Sequence, residues 1–152
     1  MIEKISWEDI LFFWKSELWP DRKSSIEPVS AMCLGGNYDM DNMLTAPTFL
    51  GYIINDKIVG VNSGHSCPRS NSYRSRGLWV DPRHRHQGIG QALLHATIDQ
   101  GYGEGRNVIW SFPRKTSWPT YSAVGFKLES DWMSSETSDW NAYCALRQDL
   151  QS

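Results

Sequence analysis

At 152 residues the chain suits one domain spanning residues 1–152, with a sizeable core and little room for a second. Apolar residues make up 40% and the net charge is only −2, which excludes a broad basic field for nucleic acid and makes any anion binding local. No apolar run approaches the ~20 residues of a membrane span, Met1-Ile2-Glu3-Lys4 lacks the apolar core of a signal peptide, and the widely spaced Cys33, Cys67 and Cys144 form no metal pattern and suit a reducing, cytoplasmic setting.

Ser6 reads as a helix N-cap with Asp9 at the third helical position. Trp7, Ile10, Leu11, Trp14 and Leu18 make one apolar stripe, so a helix is expected to about Leu18, ending before Pro20. A strand within residues 1–5 has scant support. Residues 20–27 are loop-like, a short helix is expected from Pro28 to Gly35-Gly36, and residues 37–47 look irregular. Phe49 to Ile54 and Ile58 to Ser63 read as strands joined by Asn55-Asp56-Lys57. The polar run Cys67 to Arg76 has no core residue except Tyr73 and reads as a mobile surface connection. A strand ending Leu78-Trp79-Val80 precedes a helix from about Gly88 to Gln100, which Gly101 and Gly103 should end. A strand at Val108 to Phe112, a short helix at Trp118 to Val124, and late strands near Phe126 to Met133 and Ala142 to Arg147 complete the chain. A hairpin followed by β-α-β units makes this an α/β (α+β mixed-sheet) protein, a central mixed sheet with helices on both faces.

The chemistry concentrates in Val80-Asp81-Pro82-Arg83-His84-Arg85-His86-Gln87-Gly88-Ile89-Gly90-Gln91. Pro82 ends a strand, a basic turn follows, and a helix then begins. Gly88 and Gly90 lack a Cβ, so a diphosphate can approach the backbone, and the first-turn N–H groups have no partner within the helix. A P-loop would need Gly-Lys-Ser/Thr, which is absent, and a dinucleotide fingerprint would need a third glycine that Leu93 replaces.

The spacing Arg85-x-x-Gly88-x-Gly90, with Tyr121-Ser122-Ala123-Val124-Gly125-Phe126 after the next strand, resembles the GNAT superfamily of N-acetyltransferases over roughly residues 49–128. The resemblance implies the GNAT acyl-CoA N-acyltransferase fold, with acetyl-CoA as co-substrate and no metal. It implies that the backbone of Leu78, Trp79 and Val80 pairs with the pantetheine arm and supplies an N–H to the tetrahedral oxyanion. It implies that Arg85, His86, Gln87, Gly88, Ile89, Gly90 and Gln91 hold the pyrophosphate. Tyr121 would be the general acid that protonates the departing thiolate. Many relatives have Asn where this chain has Arg114, a position that contacts pantetheine, and Ala where it has Ser117.

The strand Arg76 to Val80 carries no carboxylate to serve as base, and Asp81 sits beside the phosphate loop. His65 is therefore the candidate base, with Glu129 and Asp131 as carboxylates that would have to face the acceptor. His84 and His86 make a poor metal site. Arg69, Arg74 and Arg76 would overhang the acceptor side on a solvated loop and hint at an anionic substrate. Of the eight tryptophans most suit the core, with Trp118 and Trp132 as the candidates to line a cleft. The expected activity is acetyl transfer to a primary amine of a small molecule or peptide. A non-catalytic acyl-CoA-binding or partner-binding protein of the same fold is the alternative. Neither nucleic acid nor membrane is an expected partner, and the late strands would suit a homodimer.

Overall fold

The computed structural model describes residues 1–134 and 140–148. Seven strands, β1 (Ile2–Lys4), β2 (Thr48–Ile54), β3 (Lys57–Cys67), β4 (Ser72–Val80), β5 (Val108–Ser111), β6 (Lys127–Leu128) and β7 (Cys144–Arg147), form one sheet in the order β1-β2-β3-β4-β5-β7-β6. Every neighbouring pair is antiparallel except β4–β5, which is parallel. The helices are α1 (Trp7–Phe13), α2 (Ile89–Gly103) and α3 (Trp118–Ala123).

The Ser6 hydroxyl accepts from Asp9 N at 3.1 Å, the expected cap. The helix it starts closes in a π-turn over Trp14–Leu18 rather than continuing as α. Its stripe packs on one face of the sheet through Ile10 and Trp14 against Val61 and Trp79. On the other face α2 buries Leu93, Leu94 and Ile98 against the strands.

Several expectations are corrected. No helix forms at Pro28 to Gly35; the segment is held instead by a bridge between Met32 and Tyr38. The run Cys67 to Arg76 is no surface loop. β3 continues to Cys67, a 3₁₀ turn covers Pro68–Ser70, and β4 starts at Ser72. Its polar residues are buried, and that burial hid the strand from a hydrophobic pattern. The helix after the basic turn does not stop at Gly101. A Cβ there would lie 2.5–2.9 Å from Ile109 and Tyr73, so this glycine permits close helix–sheet packing inside a helix that runs to Gly103. Among the described residues of the late segment, Lys127–Leu128 and Cys144–Arg147 are the strands.

Two irregularities in β4 shape the site. Its pairing with β5 covers only Ser72 to Arg74, beyond which the two parallel strands part. The register against β3 also slips between Ser63↔Arg76 and Val61↔Trp79, a bulge at Gly77 and Leu78. Trp14 sets this bulge: its indole N–H donates to Gly77 O at 2.9 Å, and any Cβ at Gly77 (φ +78°) would collide with the ring.

Candidate active site

Two cavities flank the parting of β4 and β5, and they meet at Leu18, Leu78, Arg114 and Ser117, which line both. One cavity opens at the N-terminus of α2. Every residue that the sequence assigned to the donor lines it except Gln87, which lies outside. Gly88 caps the helix in the left-handed region (φ +79°) with no atom within 4 Å of where a Cβ would sit. The 15-residue α2 thus presents its unpaired first-turn N–H groups to open space. Arg85 folds back so that its Nε donates to Val80 O at 3.0 Å. Asp81 is neutralised within the loop: Arg83 N and guanidinium both donate to it, at 2.9 and 3.0 Å, which holds the carboxyl below its usual range. Its charge is therefore not left facing the turn.

At the parting itself, the first residues no longer paired are Ser75 of β4 and Ser111 of β5. Ser111 Oγ donates to Ser75 O at 2.6 Å and lies 3.2 Å from the Tyr121 hydroxyl, and Ser75 Oγ lies 3.4 Å from the same hydroxyl. Tyr121 comes from α3, whose ring packs edge-on against Phe126 at 5.2 Å. The side chain is buried, yet it lines the second cavity. Burial pushes the phenol up to about 12, so it keeps its proton at physiological pH.

The second cavity, about 480 Å³, lies on the α1 face. Strand residues two apart share a face, and here that places Arg74 and Arg76 side by side. Arg22 and Arg114 complete a lining with four arginines and, among its described residues, no carboxylate. Arg76 stacks over Trp14 and Trp19 at 5.0 and 5.4 Å and donates to Glu27 O at 2.7 Å. Arg74 stacks over Trp110 at 4.9 Å. Arg114 reaches across the junction to donate to Leu18 O.

His65 is wholly buried, opposite Arg74 in the register, and lines neither cavity. Burial first, then Arg74 and Arg76, hold its imidazole well below 6.5. It is neutral but has no path to an amine. Glu129 pairs with Arg147 at 2.7 Å, and neither it nor Asp131 lines the second cavity. Arg69 does not overhang the site either; it pairs with Asp39 and Asp41 on the surface. Trp118 and Trp132 pack on each other at 6.4 Å and line neither cavity, and Trp19 is the tryptophan that lines the second. Trp19, Arg22, Met32 and Tyr38 were not anticipated. They come from the first 48 residues, where no local motif marks them. Among the described residues no group of three or more His, Cys, Asp or Glu could hold a metal ion, and no helix is long and apolar enough to cross a membrane.

A mixed sheet whose parallel strands part beside a glycine-capped helix, with a buried phenol at the fork, is the architecture of an acyl-CoA N-acyltransferase. Residues 6–126 match the Acetyltransferase (GNAT) family, and the chain belongs to it. No curated protein matches it by sequence. Among solved structures it is similar to an aminoglycoside 6'-N-acetyltransferase complexed with coenzyme A (TM-score 0.73, 12% identity, covering 100% of this chain and 99% of that one). It is also similar to a GNAT-family acetyltransferase from Staphylococcus aureus Mu50 (0.68, 19%, 98% and 99%). A third is the ribosomal-protein-S18-alanine N-acetyltransferase from Escherichia coli (0.63, 16%, 100% and 96%). At these identities the likeness establishes the fold.

Proposed function

We propose that the chain is an acetyl-CoA-dependent N-acetyltransferase that passes the acetyl group to a primary amine by direct attack. The observation that carries this reading is the Tyr121 hydroxyl, held by Ser75 and Ser111 where β4 and β5 part. The names of the similar structures, one acting on an aminoglycoside and one on a ribosomal protein, leave the acceptor open between a small molecule and a peptide. In this reading the pyrophosphate sits at the first turn of α2, and the pantetheine arm runs along Leu78 to Val80. The ammonium substrate loses one proton before its nitrogen attacks the thioester carbon. The tetrahedral oxyanion takes an N–H of β4 at the bulge. As the C–S bond breaks and the amide forms, Tyr121 protonates the sulfur, and the proton leaving the nitrogen restores the phenol through water.

A phenol raised to about 12 is a weaker acid than a free thiol near 8.5. Transfer to a solvated thiolate would run uphill. In the closed cleft, desolvation raises the thiolate's basicity as well, so a hydrogen bond to sulfur becomes a proton transfer as charge develops there. No carboxylate lines the described acceptor side, so water removes the amine's proton. The rate should therefore climb with pH through the amine's own titration, with no decline until Tyr121 ionises near 12.

The missing carboxylate is also the one observation that favours the second reading, an acyl-CoA-binding protein without turnover. Release of free CoA from acetyl-CoA over an amine panel separates the two. Turnover is expected, and Tyr121→Phe should lower kcat by about 10²–10⁴-fold with acetyl-CoA affinity held. Tight acetyl-CoA binding without CoA release would leave the second reading. A variant with the parent rate would remove Tyr121 from the chemistry.

A further inference from the structure

Resting on the acetyl-transfer reading, we infer that the acceptor amine carries an oxyanion, a carboxylate or a phosphate, which Arg74 and Arg76 hold within a few bonds of the reacting nitrogen.

Buried cations in proteins are ordinarily paired, because removing a charge from water without a partner costs several kcal/mol. Arg74 and Arg76 are only 8% and 5% exposed, yet neither forms an ion pair among the described residues. Arg74 Nε is buried with no hydrogen-bond partner. Aromatic faces below both guanidinium groups and the Glu27 carbonyl orient them without neutralising them. Glu27, the carboxylate that acts on Arg76 through space, accepts from Ser25 Oγ at 3.0 Å and forms no ion pair with that arginine, and Asp39 and Asp41 are turned to Arg69 at the surface. The cavity thus keeps two fixed, positively charged forks facing space of about 480 Å³, in the size range of small-molecule sites. Planar forks of this kind recognise carboxylate and phosphate oxygens in pairs.

Position gives the length of the substrate. Arg74 and Arg76 line the same cavity as Tyr121, whose hydroxyl marks the reacting centre. An anion on these arginines is therefore close to the nitrogen under attack. Trp19, Met32, Tyr38 and Phe112 offer an apolar wall to the rest of the molecule.

Binding is tested first, on the full chain saturated with CoA so that the phosphate loop is occupied. Sodium acetate and sodium phosphate are compared with chloride at equal ionic strength. One or both should raise the melting temperature by at least about 2 °C, and which one does so separates carboxylate from phosphate recognition. Arg74→Met and Arg76→Met should abolish the rise. In the absence of anion, Arg74→Met should melt no lower than the parent, because an uncompensated buried charge has been removed; a structural arginine would show a loss. Arg74→Lys, which keeps charge but not the fork, should keep a reduced response. No shift with either anion in the unaltered protein overturns the inference, whatever the variants do.

Turnover then compares matched amines: an amino acid with its amide, and O-phosphoethanolamine with ethanolamine. The anionic member of one pair should have a kcat/KM higher by about 10- to 100-fold, a preference that Arg76→Met should erase. Equal or faster turnover of the neutral member would overturn this inference and leave acetyl transfer standing. Failure of acetyl-CoA itself to bind would bring down the transfer reading, and this inference with it.

Discussion

The two cavities that meet at Leu78 are built by opposite means. The side proposed for the donor centres on a left-handed glycine, a bare helix N-terminus and a short basic turn, which lie within one continuous segment, with Leu18 and residues drawn from Arg114 to Thr120 completing the wall. The side proposed for the acceptor is made of large side chains fixed by burial, Arg74 and Arg76 over Trp14, Trp19 and Trp110, gathered from distant parts of the chain. A common co-substrate needs only a generic cradle, which local sequence can supply. Discrimination among acceptors needs charges held rigidly in a dry pocket, and only tertiary packing can do that.

The sharpest way to break this contrast is at Gly88. Nothing lies within 4 Å of a Cβ there, so a new side chain would project into the donor cavity rather than into the core. Gly88→Glu sets a carboxylate against the pyrophosphate. A like-charge contact of about 4 kcal/mol at short range would weaken acetyl-CoA binding by about 10³-fold. Gly88→Ala adds only the left-handed backbone cost of about 1–2 kcal/mol and should show itself mainly in stability. Calorimetric titration with acetyl-CoA checks both. Equal affinities for the alanine and glutamate variants would remove the phosphate from this loop.

The same contrast explains what could be read in advance. The turn from Pro82 to Gly90 and the Tyr121-x-x-x-Gly125-Phe126 run are contiguous, and their residue types follow from backbone geometry, so strand, turn and helix appeared where expected. β4 was misread over Ser72 to Arg76 because its pattern is Ser, Tyr, Arg, Ser, Arg. Period-two reading looks for apolar residues on at least one face, and here one face carries buried arginines instead. Local pattern failed where the fold buries charge, as expected of places that break the rules the rest of the chain obeys. The loop at Pro28 to Gly36 failed for a plainer reason: it closes as a turn around the Met32–Tyr38 bridge, with Gly36 N donating to Cys33 O at 3.0 Å and Asp39 N to Ala31 O at 2.7 Å, which no helical spacing encodes.

A second consequence of the charged acceptor side should appear in stability against pH. Folded His65 titrates well below 6.5, held down by burial and then by Arg74 and Arg76. The unfolded chain takes up a proton near 6.5 that the folded chain refuses. Stability is therefore full above 6.5 and falls as the pH drops below it, by about 1.4 kcal/mol per pH unit for one such group. Denaturant unfolding between pH 7.5 and 5 would show this slope, and His65→Gln should flatten it. A slope that survives the substitution would place the pH dependence in a group other than His65.

The smallest expected effect tests the seam between the two sides. Arg114 lines both cavities and ties the segment before α3 to the π-turn after α1 through Leu18 O. If it acts as a tie across the junction, Arg114→Ala loosens both walls at once. The KM values for acetyl-CoA and for the acceptor should then rise together by about 3- to 10-fold, the worth of one net hydrogen bond, with kcat nearly held. If Arg114 instead touches the pantetheine arm, the acetyl-CoA KM alone should move. Initial-rate kinetics with each substrate varied in turn distinguishes the two. A rise confined to the acceptor would make Arg114 a third member of the anion site beside Arg74 and Arg76. The boundary between a locally encoded donor side and a packed acceptor side would then lie one residue cluster closer to the helix than the cavities suggest.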